Sequence, residues 1–450
     1  MTFSVAIGEL PDHWRTARLK DLTSKIGSGA TPRGGAATYL EDRVEHALIR
    51  SQCVHDRQFD LESLSFISEE QARGLRGVEV REGDLLLNIT GDGVTFGRCA
   101  MVPKDALPAV VNQHVAIIRP DPAQLDSGFL LSFLVHPDTK PYIESFNAGG
   151  SRRAITKGHI ENFEIPLPPL AEQRPISAIL QALDDKIELN RRMSATLEEM
   201  ARALYRSWFV DFDPVHARAA GQPPAHMDTP TAALFPDSFG PNGLPEGWMS
   251  GPLLDFMDLI SGGTPKTSVP EFWGGDIPWA SAKDVSQCGQ AFLIETERTI
   301  TRAGLEKSST KIVPKFSTVV VARGATTGRA CMFGDDIAMN QTCYALHSSR
   351  GEPFFVNCMF MNEALGITQA AHGSVFDTIT TKTLQASEVV APPRELTAAF
   401  EETVAPMFRE ILNLTSQSQT LAALSDTLLP RLMSGKLRVR AAESQVEAVV

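Results

Sequence analysis

The chain has 450 residues, 43% hydrophobic and 21% charged, which is enough for two or three domains with their own cores and too well balanced for a disordered polymer. Its formal charge of −12 counts against a simple DNA binder, and no run approaches the roughly 18 apolar residues a membrane span needs. Six cysteines (Cys53, Cys99, Cys288, Cys331, Cys343, Cys358) form no C-x-x-C pair, which argues against zinc and fits a reducing cytoplasm, and the opening MTFSVAIGELPDHW lacks the basic-then-apolar pattern of an export signal.

In chain order, a Leu-Pro-x-x-Trp run (Leu10 to Trp14) precedes IGSGATPR (Ile26 to Arg33). Short β-rich runs bounded by Gly, Asn and Pro follow: DLLLNITGDG (Asp84 to Gly93) and AVVNQHVAIIRP (Ala109 to Pro120) read as strands and hairpins. GFLLSFLVHP (Gly128 to Pro137) is an apolar helical patch, so the region reads as α+β. After Pro168-Pro169 a long helix begins. Its stripe is Ile176, Leu180, Leu183, Ile187, Asn190, Ser194, Leu197, Ala201, Leu204, Trp208, in steps of four and three that make a coiled-coil seam. An Ala-, Pro- and Gly-rich stretch (His216 to Trp248) reads as a linker.

The chain then repeats itself. Leu244 to Trp248 restates Leu-Pro-x-x-Trp, and ISGGTPKT (Ile260 to Thr267) restates the glycine-rich run. Gly97-Arg98 recurs as Gly328-Arg329, Asn112-Gln113 as Asn340-Gln341, and Gly150-Ser151 as Gly373-Ser374. From Thr156 the spacing locks: Thr156 with Thr380, Ile160 with Leu384, Pro168-Pro169 with Pro392-Pro393. Order and number together mark a tandem duplication. The second copy has its own strand run, STVVVARGATTG (Ser317 to Gly328), and its own seam: Phe400, Val404, Met407, Ile411, Leu414, Ser418, Leu421, Ser425, Leu428, Leu432. About 38 residues of helix make a rod of roughly 57 Å. Two such seams bury each other best as an antiparallel pair, the rival reading being amphipathic helices packed on their own domains; Pro406 and Pro430 are points at which the second helix can kink. The tail from Ala441 to Val450 is expected to fray.

No catalytic site emerges. There is no phosphate loop, H-E-x-x-H or G-x-S-x-G, and no Pro-Pro pair carries the flanks with which amino-methyltransferases hold a flipped base. The D-x-K triplets at Asp138-x-Lys140 and Asp184-x-Lys186 read as solvated charge.

LYRSWFVDFDPV (Leu204 to Val215) and LLPRLMSGKLRV (Leu428 to Val439) resemble the ends of the conserved helices in specificity subunits of type I restriction–modification systems. ISGGTPKTSVPEFWGGDIPWASAKDV (Ile260 to Val285) is similar to the opening of that family's target-recognition domains, and PLPPLAEQRPISAIL (Pro166 to Leu180) to its domain–helix junction. The first copy, with GGAATYLEDRVEHALIRSQCV (Gly34 to Val54), departs by lacking Trp-Gly-Gly and Pro-Trp. The resemblance implies an α+β fold with two globular target-recognition domains in tandem pseudo-symmetric repeat, separated by two long antiparallel coiled-coil helices. The divisions are a first recognition domain over 1–168, a helix over 169–212, a linker over 213–243, a second recognition domain over 244–393, a helix over 394–435 and a tail over 436–450. It also implies a non-catalytic, cytoplasmic DNA reader whose domains each grip half of a split, asymmetric site, with the helices as ruler. Partners would be double-stranded DNA, two methyltransferase subunits and two restriction/translocase subunits, with S-adenosylmethionine, ATP and Mg on those partners, none on this chain and no membrane. A related methylation-based defence system without a translocase, a duplicated protein-binding scaffold and a self-sufficient methyltransferase are the rival readings.

Positive residues are local despite the acidic total, and turns such as ARGATTGRA (Ala322 to Ala330) offer backbone N–H groups and hydroxyls to phosphate and Arg forks to guanine. Candidate DNA contacts are Arg33, Arg50, Gln52, Thr95, Arg98, Gln113, Ser151, Arg152, Arg153 and Lys157 in the first copy. In the second they are Lys266, Lys283, Arg323, Thr326, Thr327, Arg329, Gln341 and Ser374, the glutamines being matched to adenine edges. Candidate subunit-interface residues are Leu180, Leu183, Ile187, Leu197, Leu204, Trp208, Phe209, Val404, Ile411, Leu414, Leu421 and Leu428. The isolated chain is expected to bind DNA weakly and salt-sensitively, its partner subunits adding positive charge.

Overall fold

The computed structural model describes residues 10–43, 45–75, 77–148, 153–371 and 378–449. They fall into two units, Met1–Glu188 with Gln419–Val450, and Leu189–Ser418.

In the first unit a four-stranded sheet runs in the order Thr23–Ser28, Val115–Pro120, Leu85–Asn88, Cys99–Met101. A three-stranded sheet runs Ser65–Ile67, His46–Ile49, Ala109–Val111, its last pair parallel. Leu85 and Leu87 point into one core, with the helix Ser127–Val135, while Leu86 points into a second core with Val110 and Ile117. Both faces of the strand are covered, which is why its sequence is an unbroken apolar run rather than an alternation. The second unit repeats the plan. Its five-stranded sheet, Met257–Ser261, Cys343–Ser348, Thr318–Val321, Ala330–Phe333, Phe292–Leu293, has Val320 facing one core and Val319 and Val321 another.

Leu-Pro-x-x-Trp makes the same turn in each unit: the Trp14 amide donates to Pro11 O at 2.9 Å and the Trp248 amide to Pro245 O at 3.0 Å. Both indoles are buried. The strand after each one pairs antiparallel with the strand leading into a long helix, Arg15 opposite Leu167 and Met249 opposite Ala391.

The long helices are Leu170–Phe209 and Arg394–Met433; the second runs unbroken through Pro406 and Pro430. In the first unit Ile176, Leu180 and Leu183 share a core with Leu421, Leu428 and Leu432. In the second, Tyr205, Trp208 and Phe209 share one with Phe400, Val404 and Ile411. There Asn190 meets Gln417 while Tyr205 lies 5.8 Å from Phe400, so the helices run antiparallel. The buried stripe is wider than the expected seam, because each helix also packs on its own globular part: Phe408 stacks on Phe354 with ring centroids 4.7 Å apart. Burial of side chains this size contributes about 1.5–3 kcal/mol each.

Three expectations are corrected. The tail holds a helix, Val439–Glu447, tied to the first unit's core by Ala442. The linker holds helices Asp213–Ala219 and Thr229–Ala233, and it buries Val215 and Phe235. Asp184 is not solvated charge: it pairs with Arg57 at 2.8 Å and fastens the first helix to the loop carrying that arginine.

The residues expected at an interface with other subunits lie in the chain's own interior. Leu180, Leu183, Trp208, Phe209, Val404, Ile411, Leu414, Leu421 and Leu428 are buried, and Ile187, Leu197 and Leu204 are half-buried against the same cores. A side chain already packed in its own core presents no surface to another subunit.

Candidate nucleic-acid interface

The repeated motifs meet in space within each unit. In the first, strand Ala109–Val111 ends in Asn112, whose amide donates to Ile49 O at 3.0 Å and whose Oδ1 accepts from the His114 amide at 3.0 Å. This side-chain turn presents Gln113 to solvent. The glycine-rich run closes over the turn: the Ala30 amide donates to Val111 O at 3.0 Å, and the Thr31 hydroxyl donates to Gln113 Oε1. In the second unit the Asn340 amide donates to Ala280 O at 3.0 Å, Asn340 Oδ1 accepts from the Thr342 amide at 3.1 Å, and the Thr264 hydroxyl donates to Gln341 Oε1.

Two glycines make the closure possible. A Cβ on Gly29 would lie 2.0 Å from Val111 O, and one on Gly262 would lie 2.1 Å from Asn340 O. Both Gln side chains are therefore held by a hydroxyl rather than left to rotate. Gln341 keeps its amide hydrogens and a second lone pair for a base edge; the Gln113 amide nitrogen lies 3.3 Å from His114 Nε2, which leaves it one amide hydrogen and a lone pair.

A hairpin stands beside each Gln turn. Gly97 and Gly328 adopt φ of 76° and 90°, and their amides donate to Asn88 O and Val321 O, both at 2.9 Å. That geometry places Arg98 and Arg329 at equivalent points of the two hairpins. Arg329, Arg323 and Thr326 are exposed; Thr327 is half-buried and donates to Gly324 O at 2.7 Å. Arg98 is half-buried, its Nη1 3.2 Å from His55 Nδ1. Thr95 donates to Asp92 Oδ1 at 2.8 Å, and hydrogen bonds from Thr95 and Val94 pull the Asp92 carboxyl down to about 2. An ionised carboxylate at this tip rejects phosphate and suits a base-edge donor such as the cytosine amine.

The remaining candidates divide by partner. Arg153 pairs with Glu144, Lys157 with Glu161 at 3.4 Å, and Lys283 with Glu297 at 2.7 Å, so those charges are already engaged. Arg33, Lys266, Arg323 and Arg329 are exposed and have no ion-pair partner among the described residues. Arg50 lies 5.7 Å from the Tyr39 ring and donates to Ser63 O at 3.5 Å, where exposed Gln52 also donates at 3.5 Å. Ser151, Arg152 and Ser374 lie outside the described residues.

Sequence reasoning missed Thr31, Thr264 and His114 as site residues, although repetition of the Thr-Pro pair was the available signal. His114 Nδ1 lies 2.6 Å from Thr90 Oγ1, linking the Gln turn to the hairpin. The tryptophans peculiar to the second copy also have a role. Trp279 Nε1 donates to Gly263 O at 3.1 Å and Trp273 Nε1 to Lys266 O at 3.3 Å, bracing the Thr264 loop. The Arg298 guanidinium sits 3.4 Å over the Trp273 ring. The first copy instead packs Ala30 and Tyr39 against the core between its sheets.

Among the described residues, no cluster of three or more His, Cys, Asp or Glu side chains is placed to hold a metal, and no helix is long and apolar enough to cross a membrane.

The family model for the type I restriction modification DNA specificity domain matches residues 61–199 and again 245–396. The chain is 27% identical over 412 residues to the specificity subunit of the HindI type I restriction enzyme of Haemophilus influenzae, covering 80% of this chain and 87% of that one. It is 22% identical to the MjaIX specificity subunit of Methanocaldococcus jannaschii, over 96% and 95% of the two chains. In fold it is similar to the crystal structure of a type I restriction–modification S subunit from M. genitalium, with a TM-score of 0.59 at 13% identity over 94% and 96% of the chains.

Proposed function

The chain belongs to the type I restriction modification DNA specificity family, and from that premise we propose that it reads a bipartite, asymmetric DNA site, one half with each unit. One observation carries the reading. The same constellation, a Gln held by a Thr hydroxyl beside a Gly-Arg hairpin, is built twice, and the surrounding side chains differ between the copies. Duplicated scaffolding with unlike surroundings suits two half-sites of unlike sequence. The paired helices, 40 residues each, are the element that fixes the spacer in this reading.

The chain carries recognition and its partners carry chemistry: methyltransferase subunits with S-adenosylmethionine, and restriction subunits with ATP and magnesium. Exposed Leu189, Met193 and Met200, on the first long helix, form the apolar surface offered to a methyltransferase subunit. They recur at helical spacing and face away from the core, which suits docking by another helix.

The test is to express the chain with its methyltransferase subunits and map methylated adenines across a genome. The reading requires one split sequence with unlike halves and a fixed gap. A continuous or palindromic sequence, or methylation unaffected by removal of this chain, contradicts it. Assembly with proteins but no retention of DNA in a gel shift would favour a scaffold.

A further inference from the structure

The first unit carries a row of basic residues whose aligned positions in the second are uncharged. Arg15 and Arg18 on strand Arg15–Arg18, and Lys20 just after it, line an open groove of about 550 Å³ that also contains Asp21 and Glu164. Lys20 also lines an adjoining groove, with Lys25, Lys157 and Glu161. The row therefore runs continuously from Lys157, which follows the strand paired to the hairpin beside Gln113, to Arg15.

Arg15, Arg18 and Lys20 are exposed and have no ion-pair partner among the described residues. Lys25 donates to Glu79 O at 3.3 Å, and Lys157 pairs with Glu161 at 3.4 Å. Five cations face three carboxylates here, in a chain of net charge −12.

The duplication supplies its own comparison. Strand register makes Arg15 equivalent to Met249 and Arg18 to Pro252, since each pairs with the strand entering its long helix. Continuing the alignment sets Lys20 against Leu254, Lys25 against Leu259 and Lys157 against Thr381. None of the five equivalents is charged. The scaffold does not need these cations, because the second copy builds the same strand pair without them.

The geometry points to a phosphodiester-binding track on the first unit, which carries the DNA backbone away from the candidate recognition loops and has no counterpart on the second. This rests on the DNA-reading assignment above and deepens it. A row of cations without base-reading partners holds duplex through counterion release, independent of sequence. Binding strength and salt sensitivity are thereby concentrated on one half of the site.

The experiment uses the full chain assembled with its methyltransferase subunits and a duplex carrying the mapped site. The variants are Arg15→Gln, Arg18→Gln and Lys20→Gln combined, and Met249→Gln with Leu254→Gln as the matched change in the second unit. With the first set, the slope of log affinity against log salt should become less negative by about 1 for each phosphate no longer neutralised. Phosphate-ethylation interference should disappear at two or three positions beside the first unit's half-site, with the methylated sequence unchanged. The second set should leave slope and footprint as they were. An unchanged slope and footprint in the first set overturns the track, as does weakened assembly with undiminished DNA affinity, which would assign the cations to a protein surface. Failure of the unaltered complex to bind its mapped site would count against the parent reading instead.

Discussion

Asn190 donates its side-chain amide to Gln417 Oε1 at 2.8 Å and to Ser418 Oγ at 3.3 Å, at a polar stretch of two mostly apolar helix faces. Asn190 is 1% exposed, and its Oδ1 has no partner among the described residues. A buried amide satisfied on one side only costs stability but admits few alternative registers. Asn190→Leu should raise resistance to urea by about 1 kcal/mol, while Asn190→Ala should lower it. If the leucine variant is the weaker of the two, the amide stabilises the pair rather than specifying its register.

The glycine closures predict a matched pair of failures. Gly29→Ala and Gly262→Ala each drive a methyl group into a backbone carbonyl that cannot step aside, at 2.0 and 2.1 Å. Each should cost about 3 kcal/mol, the upper range for overpacking. Gly27→Ala, with open space around it, is the control and should be neutral within about 1 kcal/mol. Thermal unfolding of the three variants decides the matter; equal melting of Gly27→Ala and Gly29→Ala would contradict the closure.

Glu401 supplies a pH signature. Its carboxylate accepts from the Phe354 and Phe355 amides at 3.0 and 2.8 Å, yet burial outweighs those bonds and pushes the carboxyl up to about 7 from 4.5. The folded state then holds its proton more tightly than the unfolded chain does. The resulting stabilisation is complete below pH 4.5 and is lost as pH rises towards 7. Against Glu401→Gln, which keeps an acceptor without charge, the unaltered chain should lose about 2 kcal/mol across that window, after allowance for solvent screening. Parallel stability–pH curves for the two proteins would show that Glu401 does not titrate there.

Docking on the first helix is tested by Leu189→Asp with Met200→Asp. Both side chains are about half exposed, so the isolated chain should melt within about 0.5 kcal/mol of the original while co-purification of methyltransferase subunits falls at least tenfold. Undiminished co-purification would move the contact elsewhere.

The duplication, the strand runs and both long helices were legible because periodicity and repetition are local properties of the chain. The second face of each helix was not. Phe408 and Tyr205 fall outside a two-in-seven seam, and they are buried by neighbours distant in sequence. The same limit applied to the site. Gln113 and Gln341 were found by repetition, but their Thr partners lie far back along the chain, and nothing local shows that the two runs touch. Cations were chosen by clustering, which does not reveal that Lys283 and Arg153 are answered by Glu297 and Glu144. Helix in the tail was masked by its polarity; Ala442 is buried in the first unit's core, and Val439 and Val446 pack against the same core.

Modularity is what the account stands on: two separately folded readers, each answerable for its own stretch of DNA. Exchanging residues 1–165 for the corresponding segment of another member of the family, followed by genome-wide mapping of methylated adenines, tests it directly. One half of the methylated sequence should be replaced while the other half and the gap stay as they were. Alteration of both halves, or of neither, would contradict the account.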